Sequence, residues 1–417
     1  MTKERTKQLD LIRRPEEAIY RSIYAPTSLT DLLTSAETRS RIRRLPAVQV
    51  YFGMKELSDE EIGQLVPHVT QQQWQATLDL DLWTRDQPSV ERFLALQRHL
   101  LLAEDPVARK LVAAADFALW EYAFNKMLRI HSRIEDDMES EPKSGEVFET
   151  PDHQYVLELP KNPEMARLLR AILTRLYQLD VEWTRLRLES ARFRTHSELR
   201  EASYQNRTGR VEEMGFQEYY QALEIYAPVL ANESLPRKRA AKTEPSTLPA
   251  LTRPPDSGTL LMMQTLAYLS HTRDVGPLLE ELFFVCNRVL TADRVSPADP
   301  RLVKRGIRKA LAGISLGLDI LCGGRLEKAA QVAEESYLQT LFRIGHTRLL
   351  TLQARAARLM ERRPPAAESP DAIWVKGLLR KYPAEVMTRS DGRKTTRFFS
   401  SFAEIEAAEK RLEKLSG

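Results

Sequence analysis

Residues 303–321 read VKRGIRKALAGISLGLDIL. Inside them, Gly313-Ile314-Ser315-Leu316-Gly317 fits G-x-S-x-G, the pattern around the nucleophilic serine of many esterases and lipases. That chemistry needs a strand before the serine and a helix after it, so that the hydroxyl stands exposed on a strained turn. Here the apolar residues Val303, Ile307, Leu311, Ile314, Leu318 and Leu321 recur at steps of three and four. That is the spacing of one helix face, and it runs straight through Ser315. The serine is therefore expected inside a helix and is no nucleophile. Gly313 and Gly317 share a helical face, which predicts a close approach by a second helix.

A second stripe lies at Leu338, Leu341, Gly345, Leu349, Leu352, Ala356 and Leu359. Residues 260–360 read as four helices, and a bundle buries both stripes. Upstream, residues 236–258 hold five prolines and the basic run RKRAAK, a composition that suits neither a helix nor a central strand. Between Pro46 and about Ile134 short helices follow one another. Ser58 with Glu61 and Thr70 with Gln73 form capping boxes. Asp105-Pro106 offers a cap followed by proline in the first turn. A long helix is expected from Asn162, with Leu169, Ile172, Leu176, Leu179, Trp183 and Leu186 on one face. Alternation around Pro151-Asp152-His153 predicts a small hairpin, and Asp391-Gly392 predicts another. Ser401 and Glu404 cap a last helix.

The expected fold is mainly α: stacked helical hairpins in a short superhelical array, a helical bundle, and one or two small β-hairpins. The expected divisions are a helical arm at 1–45, the array at 46–235 with its hairpin near 146–160, a linker at 236–258, the bundle at 259–363, and a hairpin and helix at 364–417.

Composition narrows the function classes. Apolar residues make up 42% of the 417 and charged residues 29%, which suits a soluble globular chain. Only 16 glycines are present, few for a large α/β enzyme with phosphate loops. Cys286 and Cys322 form no CxxC pair, so neither zinc module nor disulfide framework is indicated. No signal peptide is read at the amino terminus, and no run reaches the ~18 apolar residues that span a bilayer. A cytoplasmic protein without membrane insertion is expected. No Walker motif, GxGxxG or HExxH occurs, and neither catalytic residues nor cofactors are indicated.

Several candidate sites remain. His131 and Glu135 stand at i, i+4 and could share a divalent ion, but the stretch through Glu141 reads better as a solvated acidic helix end. Asp79, Asp81 and Asp86 read the same way. In WTRLRLESARFRTHSELR, Arg185 with Glu189 and Arg194 with Glu198 suggest a salt-laced solvent face. Two basic runs lie at segment edges with few acids within them, which also suits a plain solubilising role: Arg39, Arg41, Arg43 and Arg44, then Arg237, Lys238, Arg239 and Lys242. Both are candidate phosphate contacts. Tyr51, Phe52, Trp74 and Trp83 are candidate partner contacts, since aromatic rings carry much interface energy. They also suit a helical core, and Trp83 is the ring expected to be exposed.

LPAVQVYFGMKELSDEEIGQLVPHVTQQQWQATLDLDLWTRD, TPDHQYVLEL and NRTGRVEEMGFQEYYQALEIYAP together resemble a bacterial family of unassigned function. The third contains Asn206, Gly209, Arg210, Gly215, Phe216, Glu224 and Tyr226. CNRVL, GLDIL, LFRIGHTRLL and TRFFSSFAEIEAAEKRL extend the resemblance over most of the chain. It implies no activity and supplies no catalytic residues. The first segment alone is similar to the helical hairpins of MgtE-type magnesium transporters and flagellar motor-switch proteins, which implies regulation and protein contact. The leading expectation is a non-enzymatic scaffold or regulatory module that binds another protein. The alternative is a nucleic-acid- or nucleotide-associated factor using basic runs 39–44 and 237–242.

Overall fold

The computed structural model describes residues 28–34, 38–84, 86–133, 146–230, 238, 260–270, 275–388 and 392–416. The chain is mainly helical, 69% helix, with small antiparallel sheets. Two compact units divide it. One is Tyr24–Gly215 with Ser296–Ala298; the other includes Phe216–Val295 and Asp299–Gly417.

The amino-terminal unit begins with short helices: α1 (Leu29–Leu33), α2 (Thr38–Arg44), α3 (Ala47–Met54), α4 (Asp59–Leu65) and α5 (Gln71–Asp81). Both capping boxes form as the sequence predicts. Glu61 N–H donates to the Ser58 hydroxyl at 3.4 Å, and Gln73 N–H to Thr70 Oγ1 at 3.1 Å. A two-residue hairpin, β1 (Trp83–Thr84) and β2 (Gln87–Pro88), leads to α6 (Val90–Gln97) and a 3-10 turn, Arg98–Leu100. Then come α7 (Asp105–Ala114) and α8 (Phe117–Met127). α7 has Glu104 rather than Asp105 at its cap position.

The expected hairpin is present, and it is part of something larger. β4 (Val147–Glu149) pairs with β5 (Tyr155–Glu158), and β5 also pairs with β3 (Arg129–Ser132), giving the order β3-β5-β4. Two helices replace the single long one expected after Asn162. α9 (Pro163–Leu179) ends at Asp180, whose extended backbone (φ −161°, ψ 102°) breaks the helix. The Asp180 carboxylate then accepts the Trp183 N–H at 2.9 Å and starts α10 (Val181–Phe193). The apolar stripe turns with the break: Leu176 is buried, while Leu186 is 54% exposed. α11 (His196–Glu213) closes the unit, and Gly215 follows it at φ 88°, a left-handed conformation that glycine adopts without strain.

Among the described residues, the carboxy-terminal unit starts at the buried Phe216 and the short α12 (Tyr219–Leu223). The division thus falls ahead of the Pro-rich window, of which only Lys238 lies within the described residues. Five helices follow rather than four: α13 (Leu261–Ser270), α14 (Gly276–Ala292), α15 (Pro300–Cys322), α16 (Leu326–Glu335) and α17 (Leu338–Arg362). α16 buries only alanines, Ala329, Ala330 and Ala333, so no large apolar stripe announces it. α18 (Pro370–Leu378), the hairpin β6 (Glu385–Thr388) with β7 (Lys394–Arg397), and α19 (Phe402–Ser416) complete the unit.

Ser315 lies mid-helix in α15 and is fully buried. Its hydroxyl accepts the Met262 N–H at 3.2 Å, capping the start of α13 from a distance. The glycines around it do what the spacing predicts. A Cβ on Gly317 would strike the Leu341 carbonyl, and one on Gly345 would strike the Gly313 carbonyl, so α15 and α17 cross backbone to backbone. No helix among the described residues is long and apolar enough to cross a membrane.

Candidate functional site

α2 is seven residues long, and the sequence accounts for its placement. Ile42 is fully buried and anchors one side. Gln73 serves both helices. Its carbonyl accepts the Thr70 N–H at 2.9 Å in the α5 capping box, and its amide donates to the carbonyls of Ile42 and Leu45, each at 2.8 Å. The carboxyl end of α2 is therefore fastened to the amino end of α5, and Arg39, Arg41, Arg43 and Arg44 point outward, all exposed.

None of these four arginines forms an ion pair with another described residue. Arg41, Arg43 and Arg44 occupy the last turn, where a helix dipole favours cations by roughly 0.3–1 kcal/mol. The dipole explains why cations are tolerated there. It does not explain why no described acid meets them. Behind the face, Lys110 donates to the Val66 carbonyl at 3.0 Å and the Val69 carbonyl at 2.7 Å. Burial and then the charges of Arg43 and Arg39 push its pKa down to about 8. His68 is lowered as well, by burial and by Arg39, Lys110 and Arg43. Like charges here act on one another without a described acid between them, which is the electrostatic condition for holding an anion.

Other sequence candidates end in different places. Tyr51, Phe52 and Trp74 are fully buried, and Trp83 is 4% exposed. The expected exposure of Trp83 is corrected: Tyr204 packs on its ring at 6.0 Å, and the Arg207 guanidinium lies 5.1 Å above it. Both cover it from α11, more than a hundred residues away in sequence, where local patterning carries no signal. A partner-contact role for these four rings would require them to leave the core. Lys238 is not a free cation. It pairs with Glu281 at 2.6 Å and donates to the Ala333 carbonyl at 2.9 Å. Arg237, Arg239 and Lys242 lie outside the described residues, as does the acidic stretch 135–141. His131 is on a strand, so the helical spacing to Glu135 does not apply there. Its ring meets Glu158 at 2.7 Å.

The sequence reading missed two buried charge clusters in this unit. Asp79, expected to be solvated, is 3% exposed and accepts both Nε and Nη2 of Arg210 at 2.7 Å. Arg210 also reaches Asp116 at 3.2 Å, and Arg207 donates to the Asp79 carbonyl. Glu121, 2% exposed, receives Arg187 at 2.5 Å and Arg194 at 3.0 Å. The helical pairing expected of Arg194 with Glu198 does not form, because Glu198 caps α11 through Thr195. Arg185 faces Asp152 at 3.7 Å rather than a helical neighbour.

A polar and aromatic cluster sits inside the carboxy-terminal unit. Tyr226 donates to Asp293 at 2.8 Å, and Lys309 meets the same carboxylate at 2.7 Å. The Lys309 ammonium lies 4.4 Å from the Tyr382 ring centroid, and His346 stacks on that ring at 5.5 Å. No side chain hydrogen-bonds either nitrogen of His346. Burial, with Lys309 nearby, pushes its pKa down to about 4. Burial lowers Lys309 too, against the pull of Asp293. Lys309 and Asp293 match one another, and Lys381, 5.2 Å from the Tyr226 ring, donates to the Ala292 carbonyl, so the cluster reads as a buried structural network.

The comparisons agree with the resemblance in the sequence. Residues 17–417 match the model of a family of unknown function, DUF6178, and the chain belongs to that family. No curated protein and no solved structure matches it, so the likeness of the first segment to MgtE-type transporters has no counterpart there.

Proposed function

We propose that this member of the family is a non-enzymatic cytosolic interaction module, a scaffold or regulator, and that it recognises an acidic surface on a partner protein. The basic face of α2, without an ion pair among the described residues, carries this reading. Four exposed arginines stand on a helix fastened at its end, over a lysine whose pKa is lowered by burial first and then by the charges of Arg43 and Arg39. Such a face gains Coulomb energy only from an anionic partner. The helix spans ~10 Å and presents no aromatic ring for base stacking, so a protein acid cluster suits it better than a nucleic acid. The non-enzymatic part is supported by Ser315, whose hydroxyl is spent on a backbone N–H in the core.

The test is affinity capture from the native cell after nuclease treatment, with the wild-type chain and Arg39→Glu/Arg43→Glu as baits. A protein retained by the first and lost by the second supports the reading. Equal retention removes its basis. Loss of all capture on nuclease treatment shifts the assignment to nucleic acid.

A further inference from the structure

The end of α2 meets a turn that also carries a histidine. Gln73, which holds the carbonyls of Ile42 and Leu45, is the third residue of α5, and Thr70 caps that helix. The turn leading into the cap, residues 66–69, therefore lies beside the last turn of α2. His68 sits in this turn. Lys110 of α7 ties the turn down by donating to the carbonyls of Val66, Pro67 and Val69, on either side of the histidine. Gln71 adds a bond to the Ala113 carbonyl of α7 at 2.9 Å. Three segments thus bring Arg39, Arg43, His68 and Lys110 to one place. No described carboxylate is among the groups that shift His68 or Lys110.

His68 is half-buried, and its Nδ1 is buried without a hydrogen-bonding partner among the described residues. A proton on Nδ1 would be stranded there, so the neutral ring carries it on Nε2, the nitrogen left to donate. Arg39 and Arg43 are one turn apart on α2, ~6 Å along its axis, so both guanidiniums can reach a single group. Neither forms an ion pair with a described residue, and each guanidinium presents its donors as a fork. The Lys110 N–H groups go to carbonyls, so this lysine adds charge and no direct bond. A single carboxylate would bring one charge and two oxygens to this place. A phosphomonoester brings nearly two charges and three oxygens. Only the second gives each fork and the imidazole N–H an oxygen of its own.

We propose that Arg39, Arg43 and His68 bind a phosphorylated serine or threonine side chain of the partner protein. This rests on the reading of α2 as a partner-binding face and names the chemistry of the group it holds. It also brings in His68, which no local sequence pattern connects to the arginines.

Fluorescence anisotropy with the full chain tests it, using two labelled peptides, Gly-Ala-phosphoserine-Ala-Gly and Gly-Ala-Glu-Ala-Gly. The phosphopeptide is expected to bind saturably and about tenfold tighter than the glutamate peptide. Arg39→Gln/Arg43→Gln should weaken it about tenfold and His68→Phe about threefold, while His68→Gln, which keeps an N–H donor, restores part of that loss. Arg39 and Arg43 are exposed, so their variant keeps the fold. Arg167→Glu, an exposed charge reversal on α9 of the same unit, should change nothing. Equal affinity for the two peptides overturns the proposal and leaves the acidic-surface reading standing. So does absent phosphopeptide binding when Arg39→Glu/Arg43→Glu still loses a captured protein. Inorganic phosphate competing as tightly as the phosphopeptide would make free phosphate the ligand and overturn it. Equal weakening by Arg167→Glu would mean general charge attraction and overturn it too. Phosphopeptide binding lost in the α2 variant, with capture unchanged by Arg39→Glu/Arg43→Glu, supports the phosphate site and sinks the acidic-surface reading instead.

Discussion

Two arginine-rich stretches of the amino-terminal unit look alike as sequence and behave oppositely. In 185–194, Arg187 and Arg194 reach inward to the buried Glu121, and Arg185 faces Asp152. In 39–44 every arginine stays at the surface with no described acid. The difference is whether a carboxylate waits at the packing interface. Where one does, arginine fastens α10 to α8 and is structural. Where none does, arginine is available, and its charge adds to the burial that lowers Lys110 and His68. A count of basic residues therefore says little about anion binding until their acids are placed.

The sharpest way to break this comparison is to remove the acid. Glu121→Ala strands two guanidiniums around a buried site and should cost about 3–5 kcal/mol in denaturant unfolding. A loss below about 1 kcal/mol would make this stretch as expendable as a surface pair.

His346 supplies a third case, a buried titratable group with no hydrogen-bonding side chain. Its folded pKa, about 4, lies below its ordinary 6.5. The folded state binds fewer protons between those values, so stability is full above pH ~6.5 and falls as pH drops toward 4. The total is about 3 kcal/mol by the usual conversion. Thermal melts from pH 7 to 4.5 should show this acid slope, and His346→Phe should flatten it. An unchanged slope in the variant would mean that other groups set the acid limit.

Ser315→Ala comes next. Because the hydroxyl caps Met262, the change should cost about 1 kcal/mol, in the range of a lost helix cap. It should leave no trace on partner capture. Covalent labelling of Ser315 by a fluorophosphonate probe would contradict its burial. Smallest is Arg41→Ala, expected within about 0.5 kcal/mol of wild type, as for an exposed side chain without a partner.

Features written locally were legible in the sequence. The capping boxes at Ser58 and Thr70, the helical setting of Ser315, the contact glycines, and both hairpins follow from residues a few positions apart. What was hidden depends on distant partners. Trp83 is covered by Tyr204 and Arg207, and Asp79 is neutralised by Arg210 at a separation of 131 residues. β3 has only Ile130 as a strand signal and gains its place from β5. Asp180 reads equally well inside a helix or between two, and packing decides. The candidate site divides in the same way. The arginines of α2 could be named from sequence, but the lack of an ion pair could not, because it depends on where every described acid in the fold lies.

That lack of an ion pair is the central claim, and Lys110 reports it directly. Its side-chain titration, followed by NMR in the full chain, should give a pKa near 8 in the wild type. It should rise toward the ordinary 10.5 in Arg39→Gln/Arg43→Gln, stopping short because burial is the larger cause. The same value in both proteins would mean that the α2 arginines are already neutralised, and the account of an open basic face would be wrong.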